Sequence, residues 1–197
     1  AIDTLVHLHE LASDKTAPGD IPAYDMDRLL GEAMLFLDWY MPAVGAPVDD
    51  TDRDVYEDAW RNVFADIATR RETLVLRDYH VDNLMWLPAR SGTARCGLLD
   101  FQDALIGARA YDLMSLIEDA RRDVDHKRAD RLIERYIAAC GDIRESDLRR
   151  DIAILGAGRH AKVIGIFTRL SRRDGKSRYL VHIPRVWRLL ENSLSHP

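Results

Sequence analysis

Apolar side chains recur at helical spacing through both ends of this chain, and between residues 73 and 99 that period gives way to short strand-like runs. Ile2, Leu5, Val6, Leu8, His9 and Ala12 predict a first helix, which Ala17-Pro18-Gly19-Asp20 stops. Met26, Leu29, Leu30, Ala33, Met34 and Leu37 predict a second, from an Asp25 cap to about Tyr40. Pro42, Gly45 and Pro47 mark a loop. Thr51-Asp52-Arg53-Asp54 resembles a capping box for a third helix through Tyr56, Trp60, Val63, Phe64 and Ile67. The helical period returns at Tyr111, with stripes at Leu113, Leu116, Ile117 and Ala120, then Leu132, Ile133, Tyr136 and Ile137. A long segment follows from about Ser146 to Leu170, and a last helix carries Pro184 in its first turn.

Inside the break, Thr73-Leu74-Val75-Leu76 is short, apolar and partly β-branched, and reads as a strand. Leu84 to Leu87 and Gly97 to Leu99 read as two more, joined by Pro88-Ala89-Arg90-Ser91-Gly92. The expected fold is therefore mostly α with a small β-hairpin patch, an α+β class, in one domain spanning residues 1–197. Polar residues crowd around the patch, so the chemistry is expected there.

Composition narrows the partners. The net charge of −5 argues against a nucleic-acid binder, and the pairs Arg121-Arg122, Arg149-Arg150 and Arg172-Arg173 lie among Asp and Glu. No apolar run approaches the ~20 residues of a membrane helix; Gly31, Glu32 and Asp38 interrupt the longest. Asp3, His7 and Glu10 stand where a secretory signal would be apolar. Cys96 and Cys140 form no C-x-x-C pair and read as reduced thiols. A cytoplasmic protein without nucleic-acid or membrane partners is expected.

The polar cluster reads Leu76-Arg77-Asp78-Tyr79-His80-Val81-Asp82-Asn83, followed after the hairpin by Leu99-Asp100-Phe101-Gln102-Asp103. Phosphoryl transfer to a hydroxyl needs a carboxylate to orient the nucleophile and take its proton, and hard oxygen ligands for Mg²⁺. R-D-x-x-x-x-N followed by a metal-binding D-F matches that need. Asp78 is the candidate base, and Asn83 and Asp100 are the candidate Mg²⁺ ligands. The competing reading is that Asp78 and Asn83 merely cap turns. A calcium loop starting at Asp78, His80 and Asp82 fails, because Asn83 stands where Gly is required and no closing Glu follows. His80 alone reads as a hydrogen-bonded loop anchor.

At these residues the sequence resembles the aminoglycoside-phosphotransferase and choline-kinase-like family, whose catalytic loop reads approximately H-x-D-x-H-x-x-N. Asp78, His80, Asn83 and Asp100 fall on that pattern; Leu76 departs from it, since the family often has His there. Within the family, Phe36 to Tyr40, Arg77 to Leu84, Leu99 to Ala104, Glu118 to Asp123, Gly165 to Leu170 and Ile183 to Arg185 resemble bacterial kinases that phosphorylate N-acetylmuramate and N-acetylglucosamine at the anomeric hydroxyl in cell-wall recycling. The resemblance implies a protein-kinase-like C-terminal lobe using ATP and Mg²⁺, with His80 and Asp112 bracing the loop; a simple helix cap is the competing role for Asp112. It also implies a separate N-terminal, ATP-gripping lobe. None of the four lysines (Lys15, Lys127, Lys162, Lys176) sits in a V-A-I-K-like strand, and no Gly-rich loop precedes Asp78. The expectation is that this lobe is absent from residues 1–197, which alone would be inactive.

A sugar substrate would find hydroxyl contacts at Asp103 and a carboxylate partner at Arg121 and Arg122, unless these form a charged helix end. Trp39 and Tyr40 offer either ring stacking or core packing. Two rival readings remain: an aminoglycoside antibiotic phosphotransferase using Glu118, Asp119 and Asp123, and a non-catalytic kinase-like binding module.

Overall fold

The computed structural model describes residues 1–11 and 21–196. Ala12 and the helix stop at Ala17-Pro18-Gly19-Asp20 lie outside them. In chain order the elements are α1 (Ile2–Leu11), α2 (Met26–Ala33), a π-helical turn (Phe36–Tyr40), α3 (Met41–Ala43), α4 (Asp50–Phe64), β1 (Thr73–Val75), β2 (Leu84–Trp86), β3 (Cys96–Leu98), β4 (Leu105–Gly107), α5 (Ala110–Ile117), α6 (His126–Cys140), α7 (Glu145–Arg172) and α8 (Ile183–Leu194). The chain is thus mostly helical with two small antiparallel sheets, as the α+β expectation has it.

Two compact units make up the chain, Ala1–Tyr24 with Arg70–Ile152, and Asp25–Thr69 with Ala153–Pro197. In the first, β1 pairs with β4 in the register Thr73↔Gly107 to Val75↔Leu105, and β2 with β3 from Leu84↔Leu98 to Trp86↔Cys96. The sequence expected β1, β2 and β3 but not β4: Leu105-Ile106-Gly107 is too short to show a period. Residues 22 to 24 strap onto it, through Ile106 N–H to Pro22 O at 2.9 Å and Tyr24 N–H to Ile106 O at 2.7 Å. Gly107 permits that approach, because a Cβ there would meet the Tyr24 Cβ at 3.0 Å. Helix α5 is buried at every residue, as a helix without a polar face must be. Leu5, Val75, Tyr111, Leu113, Met114 and Tyr136 are all buried with it.

In the second unit, Asp25 caps α2 by accepting the Arg28 N–H at 3.1 Å, as expected. The cap of α4 is Asp49, which accepts the Asp52 N–H at 2.8 Å, two residues before the expected Thr51. Asp49 stands in extended backbone and its carboxylate accepts the amide of the third helical residue, so the helix starts earlier. Helix α8 has Pro184 in its first turn. The stretch after α2 widens into the π turn, where the Met41 N–H reaches the Phe36 carbonyl. Gly165 in α7 lies against this stretch so closely that a Cβ would sit 2.3 Å from the Leu35 carbonyl oxygen.

Candidate active site

β1 ends at Val75, and the next two amides leave the sheet for a side chain. Leu76 N–H donates to Asp112 Oδ2 at 2.7 Å, and Arg77 N–H donates to Asp112 Oδ1 at 3.0 Å. Asp112 is buried inside α5, whose cap position is Arg109, so its carboxylate is not a helix cap. That removes the simple capping role considered for it. Arg77 adopts φ 70, a left-handed conformation that costs an ordinary residue about 1–2 kcal/mol. Its guanidinium Nη1 donates to the Asp103 carbonyl at 3.4 Å, and its Cζ lies 5.8 Å from the Tyr24 ring centre.

The strained turn delivers Asp78 to the surface. Tyr79 goes inward; its hydroxyl donates to the Ala1 carbonyl at 2.8 Å, and burial raises its pKa. The backbone then closes on itself, with His80 N–H on Asp78 O at 3.0 Å and Asn83 N–H on His80 O at 2.9 Å. Asn83 Nδ2 donates to the Asp78 carbonyl at 3.0 Å and lies 3.5 Å from His80 Nε2. On the far side of Asn83, Leu99 N–H donates to its carbonyl at 3.0 Å. This bond continues the β2–β3 ladder by one step and places Asp100 at its end. Asp100 has φ 58, and its Oδ1 accepts from Gln102 Nε2 at 2.7 Å. Among the described residues the only non-glycine positions with positive φ are Arg77 and Asp100, the neighbour of the candidate base and a candidate metal ligand. Backbone strain gathers where side chains must be aimed.

The donor set fits Mg²⁺. Asn83 commits its nitrogen to the Asp78 carbonyl, which leaves the harder Oδ1, and Asp100 retains Oδ2 beside its bond to Gln102. Among the described residues no group of three or more His, Cys, Asp and Glu side chains gathers as a metal site.

Asp103 is exposed in the turn after Asp100. Arg121 and Arg122 face the loop: Arg121 Nη1 lies 3.3 Å from His80 Nε2, and Arg122 Nη2 pairs with Asp82 Oδ1 at 2.5 Å. The hydrogen bond from Arg122 holds Asp82 below the usual carboxylate range. Asp119, read in sequence only as one acid of a polycation pocket, is buried and accepts the Arg121 N–H on Oδ1 at 2.8 Å. Its signal, an acid two residues before an arginine pair, looked like any charged helix end. Tyr40 stacks on Phe36 with ring centres 5.1 Å apart and meets Trp187 at 5.4 Å, which favours its packing role.

A cavity of about 250 Å³ opens at the opposite end of β1, lined by Arg70, Glu72, Arg109, Arg144, Asp147 and Asp151 among others. Its charges neutralise one another through pairs such as Arg70–Asp151 and Arg144–Asp147, so it offers no chemistry to this site. Both cysteines are free, and no described helix is long and apolar enough to cross a membrane.

Several known proteins are similar to this chain. The chain is 35% identical over 202 residues to an N-acetylmuramate/N-acetylglucosamine kinase of Caulobacter vibrioides, covering 100% of this chain and 56% of that protein. It is 34% identical to a protein of the same name from Neisseria meningitidis, covering 94% and 55%. A third, from Pseudomonas putida, is 36% identical over 94% and 54%. The chain therefore spans about half the length of the curated relatives it matches. The model of a family described as the phosphotransferase enzyme family matches residues 1–150, the stretch that holds every residue of this site. With the loop, the hairpin and these relatives in agreement, the chain belongs to the phosphotransferase enzyme family.

Proposed function

We propose that this chain forms the catalytic lobe of an ATP-dependent amino-sugar kinase that phosphorylates the anomeric hydroxyl of N-acetylmuramate or N-acetylglucosamine. The observation that carries the reading is the double attachment of Asn83, through its carboxamide to the Asp78 carbonyl and through its own carbonyl to the strand end that presents Asp100. One residue thereby ties the base to both metal ligands, an arrangement a pair of turn caps would not need.

In the proposed reaction, Asp78 accepts the hydrogen bond of the sugar hydroxyl and takes its proton as the new oxygen–phosphorus bond forms at the γ-phosphorus. The bond from that phosphorus to the β,γ-bridging oxygen breaks, and ADP leaves with the electron pair. Asn83 and Asp100 would hold Mg²⁺, which when bound neutralises charge on the nucleotide phosphates. Asp112 keeps Asp78 in place by fixing the two preceding amides, and the exposed Asp103 is available to a sugar hydroxyl. The names of the relatives support the substrate class. The buried, engaged state of Asp119 counts against an acidic pocket for a polycationic antibiotic.

The test uses a full-length protein carrying these residues, assayed for ATP-dependent phosphate transfer to N-acetylmuramate, N-acetylglucosamine and an aminoglycoside. Turnover with the amino sugars, lost by about 10³-fold or more in Asp78→Asn without a change in melting temperature, is the expected result. Turnover that survives Asp78→Asn, or that occurs only with the aminoglycoside, overturns the proposal.

A further inference from the structure

We propose that Asp119 and Arg121 are positioning residues that set the orientation of the Asn83 carboxamide, and with it the oxygen offered to the metal, by acting through His80. The inference rests on the assignment of Asn83 as a metal ligand made above.

Hydrogen-bond polarity decides the state of His80. The carboxamide nitrogen of Asn83 and the guanidinium nitrogen Nη1 of Arg121 both approach His80 Nε2, at 3.5 and 3.3 Å. Each of these groups can only donate, so Nε2 must present its lone pair, and the imidazole proton resides on Nδ1. A protonated Nε2 would face two donors and repel both. A neutral ring with that tautomer accepts from Asn83 Nδ2 and agrees with the bond from the same nitrogen to the Asp78 carbonyl. Both acceptors call for nitrogen on this side of the carboxamide, leaving Oδ1 to the opposite side.

Arg121 is held in turn from its own backbone. Its N–H donates to Oδ1 of Asp119, a carboxylate buried to 1% exposure immediately after α5. The next residue, Arg122, grips Asp82 at 2.5 Å. The turn therefore takes hold of His80 and Asp82, which lie between Asp78 and Asn83 in sequence. Asp112 fixes the entry of the loop, and this second attachment fixes its exit.

Positioning and simple electrostatics predict opposite signs. Arg121 is a cation near a cation site, so if it acted only through its charge, its removal would tighten metal binding. If it orients Asn83, removal weakens binding, by the ~10- to 100-fold typical of losing a partner that orients a metal ligand. The experiment measures Mn²⁺ affinity by electron paramagnetic resonance in the full-length protein with a non-hydrolysable ATP analogue, for wild type, Arg121→Met, Arg121→Lys and Asp119→Ala. The expected result is weaker Mn²⁺ binding in Arg121→Met and Asp119→Ala, with substantial recovery in Arg121→Lys. Unchanged or tighter binding in Arg121→Met overturns the inference. The nitrogen NMR spectrum of the wild-type imidazoles, with His80 assigned through His80→Gln, supplies a readout independent of turnover and of whether the variants fold. A His80 proton on Nδ1 is expected, and one on Nε2 overturns the inference. Absence of kinase turnover with a normal His80 tautomer and normal Mn²⁺ effects would sink the sugar-kinase reading while sustaining this one.

Discussion

In the first unit one buried carboxylate, Asp112, fixes two consecutive amides, whereas in the second the rings of Phe36, Tyr40, Tyr56, Trp60, Phe64 and Trp187 lie against one another in stacked, tilted and edge-on pairs. Hydrogen bonds have direction and lose most of their strength when bent, so they suit a region where individual atoms must be aimed. Ring packing is far less directional and tolerates small shifts, so it suits a region whose task is to bury apolar surface. The second unit uses backbone contact as well, with Gly158 under the Phe64 ring and Gly165 against the Leu35 carbonyl. Polar substitutions should therefore hurt most in the first unit, and changes of volume in the second.

The largest effect is expected at Asp112. Replacing it by Ala leaves two amides without their acceptor, one of them buried, which costs about 3–5 kcal/mol and lets the loop wander. Activity in a full-length protein should fall by at least ~10²-fold. A chemical denaturation curve and a rate measurement together check this, and a loss no greater than that of a surface substitution would break the contrast. Gly165→Ala comes next, because its Cβ would overlap backbone rather than the flexible end of a side chain. About 3 kcal/mol of stability should go, read from the urea midpoint. Full stability in that variant would show the second unit to be softer than its packing implies.

Acid gives the third effect. In the folded chain burial, with the Arg109 charge adding to it, lowers His9 to about 3 from its ordinary 6.5, and His9 Nδ1 lies 2.7 Å from the buried Tyr136 hydroxyl. Between those two pH values the unfolded chain takes up a proton that the folded chain refuses. Stability is therefore fully present above pH 6.5 and declines as the pH falls toward 3, by about 2 kcal/mol at pH 5. Urea midpoints at pH 7.5 and 5 measure it, and His9→Phe should flatten the dependence; an unchanged slope in that variant counts against His9 as the cause. The smallest effect belongs to Arg77→Gly, which should gain up to about 1 kcal/mol by relieving the left-handed backbone. A clear loss in thermal melting would mean that the guanidinium contacts outweigh the strain.

How far the sequence could be read depends on the range of the interactions. The Asp25 cap and the Pro184 start involve neighbours in the chain, and both were legible. The cap at Asp49 was missed by two residues because Asp49, Asp50, Thr51 and Asp52 are all acceptable caps, and only backbone geometry chooses among them. The candidate loop stood out in the sequence because the spacing of its residue types is local. Its supports were only half so: Asp112 could be suspected from Tyr-Asp-Leu, while nothing in Asp119-Ala120-Arg121-Arg122 told of bonds to residues about 40 positions earlier. The β4 strand and the π turn stayed hidden for the same reason, since one depends on a distant strand and the other lies against a distant glycine.

That π turn has a consequence for length variation. It holds one residue more per lap than an ordinary helix, so deleting a single residue between Phe36 and Tyr40 would restore regular winding and leave the flanking segments in phase. The same deletion inside α4 would rotate everything beyond it by about 100°, turning Trp60 and Phe64 out of the places they fill. Gene shortening by one codon should be survivable at the first site and ruinous at the second.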